Sequence, residues 1–220
     1  MAKMSGMKTR RYRVALMALA AGLLVWVQAA AADPIRVLVL GDSLTAGYGL
    51  PAEAAFPVRL ETALRAEGID AVVLNGGVSG DTTAGGRARL DWALADDPDA
   101  AIVELGANDA MRGIKPTAVY NNLDAILTRL EAAGIEVLLA GMYAPPNLGR
   151  EYGDAFYAVY TRLAAAHEVD FYPFFLDGVA ARPWLNQNDF IHPNAEGVDV
   201  IVDRILPDVV DLIERSEAAD

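Results

Sequence analysis

The chain has 220 residues, with 18 Lys and Arg against 30 Asp and Glu, two His and no Cys. That length suits one domain or a small pair. The missing cysteine excludes disulfides, thiolate-bound zinc, a thiol nucleophile and a lipid-modified amino-terminal cysteine, and any imidazole chemistry must use His167 or His192.

The first segment reads as an address rather than as part of a fold. Lys3, Lys8, Arg10, Arg11 and Arg13 form a basic head, residues 14–27 are apolar, and residues 29–32 are small. This is the three-part pattern of a secretory signal peptide over residues 1–32. The apolar run is short for a membrane span, which needs about 20 residues. Cleavage is expected near Ala32 and Asp33, giving a periplasmic or secreted product with no stable membrane insertion. An uncleaved anchor is the alternative. The cleaved chain keeps 13 basic against 30 acidic residues, a net charge of −17 rather than −12. Such an acidic surface disfavours nucleic acid and anionic membranes as partners. A monomer is expected.

Next comes an apolar run at 35–40, the first predicted strand, followed by "GDSLTAGYG". A helix is predicted over 52–67, with Phe56, Leu60 and Leu64 at spacing four and Gly68 beyond. A second strand at 71–74 leads into the glycine-rich loop "NGGVSGDTTAGG". A short helix over 87–94 precedes a third strand at 101–105 and the loop "GANDAMRG". Residues 116–133 open with a proline and close at Gly134, the favoured asymmetry for helix ends. A fourth strand is predicted at 136–140. A helix over 154–167 places Tyr157, Tyr160 and Leu163 on one face, and a weaker fifth strand covers 169–172. The loop "NDFIHPNAEG" leads into a last helix over about 195–214, with Val200, Ile201, Ile205 and Val209 inward and Pro207 as a candidate kink.

The strand runs are apolar throughout, as in strands buried on both faces. Their alternation with helices predicts an α/β domain over 33–220, with a mainly parallel sheet, helices on both faces and right-handed crossovers. Ligands bind such sheets outside the carboxyl ends of the strands. The loops there hold complementary tools. Ser43 would start a helix, where free N–H groups can hold a developing negative charge. Asp189 and His192 are three residues apart, close enough for the carboxylate to orient the imidazole. The other ring nitrogen is then free to take the Ser43 proton. Gly80, having no side chain, can bring its N–H close to a reacting oxygen, and Asn108 carries an amide donor. Singly, each residue suits an ordinary turn, cap or loop. Their joint order along one sheet edge is the signal.

These stretches resemble the SGNH hydrolases, also called GDSL-type esterases and lipases: Ser43 in "GDSL", Gly80 in "VSGDTT", Asn108 in "GAND" and His192 in "DFIHP", with Asp189 three residues before the histidine. "SGDTTAGG", "VELGANDAMRG", "DFIHPNAEG" and "GREYGDAFYAVY" are most similar to the thioesterase I, lysophospholipase L1 and arylesterase branch. The resemblance implies a flavodoxin-like three-layer α/β/α sandwich with five strands in the order 2-1-3-4-5. It implies Ser43 as nucleophile, His192 as base and then acid, and Asp189 as its orienter. Ser43, Gly80 and Asn108 would form the oxyanion hole, with Asp42 and Asp109 behind them and residues 110–115 as a mobile substrate-side loop. No metal or cofactor is implied. The glycine-rich "NGGVSG" departs from the family pattern and implies a looser loop.

The expected activity is hydrolysis of acyl esters and thioesters through an acyl-enzyme. An acetyl esterase acting on carbohydrate, or a non-catalytic binding module on the same fold, are the alternatives. Tyr48, Met111, Ile114, Tyr143 and Phe190 are candidates to line an acyl site.

Overall fold

The computed structural model describes residues 33–219. The predicted signal segment lies outside the described residues. The sheet is five-stranded and parallel: β1 (Ile35–Gly41), β2 (Ala71–Gly77), β3 (Ala100–Glu104), β4 (Glu136–Ala140) and β5 (Asp170–Tyr172). Its spatial order is β2-β1-β3-β4-β5, as the resemblance implied. Every residue of β3 is buried, as are all but Arg36 in β1. That burial explains the apolar strand runs, since both faces are covered.

The helices form two layers. On one, α2 (Phe56–Ala66) packs against α8 (Ala195–Ala219). On the other, α6 (Pro116–Glu131) packs against α3 (Thr83–Ala88) and α7 (Arg150–His167). Single-turn helices α1 (Ser43–Ala46), α4 (Leu90–Ala93) and α5 (Ala107–Met111) complete the set. The core joins strand residues such as Leu40 and Ile102 to Phe56, Leu60, Leu127, Tyr160 and Ile205. No helix among the described residues is long and apolar enough to cross a membrane.

Several boundaries differ from the sequence expectation. The helix predicted from residue 52 begins at Phe56, after a short 3-10 turn at Ala52–Ala54. Ala55 is extended (φ −66°, ψ 145°) and separates the two. The helix predicted over 87–94 is two short helices, broken at Arg89. In α7 the buried face is Phe156, Val159, Tyr160 and Leu163, while Tyr157 is only half-buried. Tyr160 and Leu163 face inward as expected, and only Tyr157 gives way to its neighbour Phe156. α8 continues through Pro207 to Ala219. The first half of "NGGVSG" is strand rather than loop: Asn75, Gly76 and Gly77 continue β2 and pair with Val39, Leu40 and Gly41.

The register levels the carboxyl ends of three strands. Gly41 lies beside Gly77 on one side and Glu104 on the other, so three strand ends finish level. The order of the sheet reverses between β1 and β3, the place where such sheets open a crevice.

Candidate active site

Ser43 follows the end of β1 as the first residue of α1. Asp42 caps that single turn, accepting from the Leu44 N–H at 3.0 Å. So short a helix has little macrodipole, and the useful feature is its free amide. Neither the Ser43 nor the Gly80 backbone N–H has a partner among the described residues. Gly80 has φ +85°, a region that favours glycine, while a Cβ there would come no closer than 3.9 Å to any atom. The backbone shape here therefore favours glycine, and no protein atom crowds the position.

The long segment after β5 brings in the remaining groups. Asp189 Oδ1 accepts from the N–H groups of Ile191 and His192, both at 3.0 Å. This turn is tight enough to force Phe190 to φ +59°, a strain of order 1–3 kcal/mol. His192 Nδ1 then lies 2.6 Å from Asp189 Oδ2, and its Nε2 lies 3.0 Å from Ser43 Oγ. Hydrogen bonds from His192 to the carboxylate, first from the ring and then from the backbone, hold Asp189 at about 2. An ionised carboxylate only accepts, so the Nδ1 proton points to it and Nε2 offers its lone pair to the serine hydroxyl.

Gln187 anchors this loop. Its Nε2 donates to the carbonyls of Tyr48 at 2.7 Å and Pro193 at 2.9 Å. The Tyr48 ring sits against the His192 ring at 4.6 Å between centroids. Tyr48 and its flanking glycines thus receive the histidine loop, a role the sequence did not disclose.

Behind Ser43 the site is acidic and buried. Asn108 Nδ2 donates to Asp42 Oδ2 at 2.9 Å. Glu104 Oε2 accepts from Thr45 Oγ1 at 2.8 Å and from the Asp42 N–H at 3.3 Å. A Cβ on Gly41 would fall 2.5 Å from that same oxygen, so the carboxyl enters the turn only because residue 41 is glycine. Burial, with Asp42 nearby, pushes Glu104 well above the usual carboxyl range. Burial likewise lifts Asp42 to about 6, opposed by its Leu44 and Asn108 hydrogen bonds. The pair therefore carries at most one charge at neutral pH, and we assign the proton to Glu104. Asp109 accepts from Thr83, at 2.8 Å from its N–H and 2.7 Å from its hydroxyl, and so joins the Asn108 loop to the Gly80 loop. Arg112 Nη2 reaches the Gly80 carbonyl at 2.9 Å.

A cavity of about 450 Å³ opens from Ser43, Asn108 and His192. Met111, Tyr143 and Phe190 line it as expected, joined by Met142, Phe174 and Ile191. Ile114 does not line it; it packs against the core, and its carbonyl accepts from Tyr152. Of the two histidines, His167 ends α7 and pairs with Asp124 at 3.0 Å. Among the described residues no three side chains cluster as metal ligands. The sequence reading missed Glu104 and Gln187. Only the lone acid in the apolar "IVELG" hints at the first of these.

Known proteins share this arrangement of elements. Residues 39–200 match the model of the GDSL-like lipase/acylhydrolase family. The arylesterase of Vibrio mimicus is 40% identical over 176 residues, covering 80% of this chain and 88% of that protein. The thioesterase 1/protease 1/lysophospholipase L1 of Escherichia coli K12 is 41% identical over 182 residues, covering 82% and 85%. The crystal structure of AlinE4, an SGNH-hydrolase family esterase, is 45% identical with a TM-score of 0.70, covering 82% of this chain and 97% of that one. With matches of this length and identity on this fold, the chain belongs to the GDSL-like lipase/acylhydrolase family.

Proposed function

We propose that the protein hydrolyses carboxylic esters and thioesters of apolar acyl groups through a covalent intermediate on Ser43. The observation that carries this reading is the unbroken line from Asp189 to His192 at 2.6 Å and from His192 to Ser43 Oγ at 3.0 Å. The names of its relatives, arylesterase and thioesterase among them, agree with the reaction class.

Each step uses a group already in place. His192 Nε2 takes the proton as Ser43 Oγ attacks the acyl carbon. The resulting oxyanion faces the Ser43 N–H, the Gly80 N–H and the second amide hydrogen of Asn108, whose first is committed to Asp42. The imidazolium, stabilised by Asp189, gives its proton to the leaving alcohol or thiol. Water then attacks the acyl-enzyme with His192 again as base, releasing the carboxylic acid and restoring the serine. Asp42 and Asp109 act by holding the loops that carry these donors.

The apolar cavity beyond Ser43 favours an acyl chain over an acetyl group alone. Nothing in the site favours the carbohydrate acetyl esterase or the non-catalytic reading. We further propose that residues 1–32 export the chain and are removed, and that the acidic mature protein acts as a monomer on small acyl substrates rather than on nucleic acid. Purified protein should cleave a nitrophenyl ester, and a fluorophosphonate should label Ser43. Absence of both defeats the hydrolase reading. A mature amino terminus upstream of Ala29 in the exported protein would defeat the processing proposal.

A further inference from the structure

The loops at this sheet edge are tied pairwise by side chains, and one tie has no part in the catalytic steps. Asp42 joins the serine turn to the Asn108 loop, and Asp109 joins the Asn108 loop to the Gly80 loop. The third side belongs to Arg89. The helical path breaks for this one residue, between α3 and α4, at φ −107° and ψ 5°. From the break, Arg89 Nε donates to Asp81 Oδ2 at 2.6 Å and Nη2 donates to the Gly41 carbonyl at 2.9 Å. Asp81 directly follows Gly80, and Gly41 lies two residues before Ser43. One rigid guanidinium therefore spans the two segments whose backbone N–H groups face the oxyanion.

The chemistry of the link requires arginine. The Arg89 and Asp81 side chains are each 17% exposed, so solvent weakens the pair little. A lysine ammonium is a single point charge and cannot hold two acceptors on separate segments in fixed geometry. Arg89 Nη1 is buried without a partner among the described residues.

We infer that Arg89 is a positioning residue that sets the separation of the Ser43 and Gly80 N–H groups, so that both meet one oxygen of the tetrahedral intermediate. This inference rests on the acyl-transfer reading. It predicts a defect in the transition state without one in substrate binding, because the acyl cavity has no wall at Arg89.

The test is Arg89→Lys in the full chain, which keeps the positive charge and avoids stranding Asp81. The readouts are kcat and KM on a nitrophenyl ester, the rate of Ser43 labelling by a fluorophosphonate, and cooperative thermal unfolding. The expected result is a fall of about 10- to 100-fold in kcat and in labelling rate together, the scale of a small misplacement of catalytic groups. KM should stay within about twofold, since uniform binding is untouched. A variant with the parent's kcat overturns the inference, as does a loss in which kcat and KM worsen together. If the parent itself neither turns over ester nor labels, the acyl-transfer reading fails first. A working parent with an indifferent variant defeats the role of Arg89 alone.

Discussion

Asn108 Nδ2 donates to Asp42 Oδ2 at 2.9 Å, joining residues 66 apart in sequence beside Ser43. One amide hydrogen is thereby fixed, which aims the other. The Asp42→Ala variant loses this aim and the cap on Leu44 together. Its kcat should fall about 10- to 100-fold, below the roughly 10²–10³ cost of deleting an oxyanion donor outright, because Asn108 is still present. KM should change little. Because burial raises Asp42 to about 6, the carboxylate is costly to keep at neutral pH, and its removal should cost less stability than activity. Steady-state kinetics beside thermal melts separate the two. A variant with unchanged kcat would show that Asn108 needs no partner.

The same burial makes stability depend on pH in a stated direction. Glu104 binds its proton more tightly in the folded chain than its ordinary value of 4.5 allows. The folded state thus holds a proton that the unfolded state has lost, so this contribution is full below that value and is lost as pH rises. Asp42, lifted from 3.8 to about 6, adds a decline between those values. Asp189, lowered to about 2, acts oppositely: its contribution is present above 3.8 and lost as pH falls toward 2. Melting temperature should therefore fall as pH rises above about 4.5. In Glu104→Gln the fall should be shallower, because the amide oxygen still accepts from Thr45 and the Asp42 N–H without ionising. Parallel melting curves for parent and variant would mean that Glu104 is ionised in the native state.

The two histidines provide an internal control. His192 sits between Asp189 and Ser43, while His167 pairs with Asp124 at 3.0 Å and faces Glu131 at 3.6 Å. His192→Ala should lower kcat by at least about 10⁴-fold, since the members of such a unit fail together. His167→Ala should leave kcat within about twofold and cost about 1–2 kcal/mol of stability, because its side chain is only 11% exposed. Reversed outcomes for the two variants would transfer the base role to His167.

How legible each feature is in the sequence depends on how it is encoded. The strands are contiguous apolar runs, so 136–140 matches to the residue and the others to within a few residues. Ser43, Gly80 and Asn108 are legible because each follows such a run, and Asp189 with His192 because they are three residues apart. The supporting residues are encoded otherwise. Arg89 meets Gly41 across 48 residues, Glu104 meets Thr45 across 59, and Gln187 meets Tyr48 across 139. No local period reports such pairs. Arg89 in particular reads as one more polar residue on a short helix, and only the break in that helix turns it toward the site. Tyr157 reads as core because aromatic spacing does not say which of two adjacent residues, 156 or 157, faces inward; burial of Phe156 decides it.

Substrate preference depends on the shape of the acyl cavity. This space of about 450 Å³ at Ser43 is walled by Met111, Met142, Tyr143, Phe174, Phe190 and Ile191, whose apolar surfaces offer a lengthening chain no hydrogen bond but steady burial. Each methylene that enters should contribute up to about 0.8 kcal/mol, close to fourfold in kcat/KM. Nitrophenyl acetate, butyrate and octanoate should therefore be cleaved with rising kcat/KM until the chain outgrows the wall. Tyr143 stands at that wall, stacked on Tyr157 at 4.6 Å and touching Phe174 at 4.6 Å. A further groove lies beyond it, lined by Tyr143, Pro146, Arg150 and Tyr157. Tyr143→Ala should join the two spaces and move the optimum to longer acyl chains, with acetate turnover nearly unchanged. The measurement is a kcat/KM profile over chain length for both proteins. A parent profile that peaks at acetate would favour the acetyl esterase alternative, and a variant profile that keeps the parent's optimum would mean that Tyr143 is not the end of the acyl site.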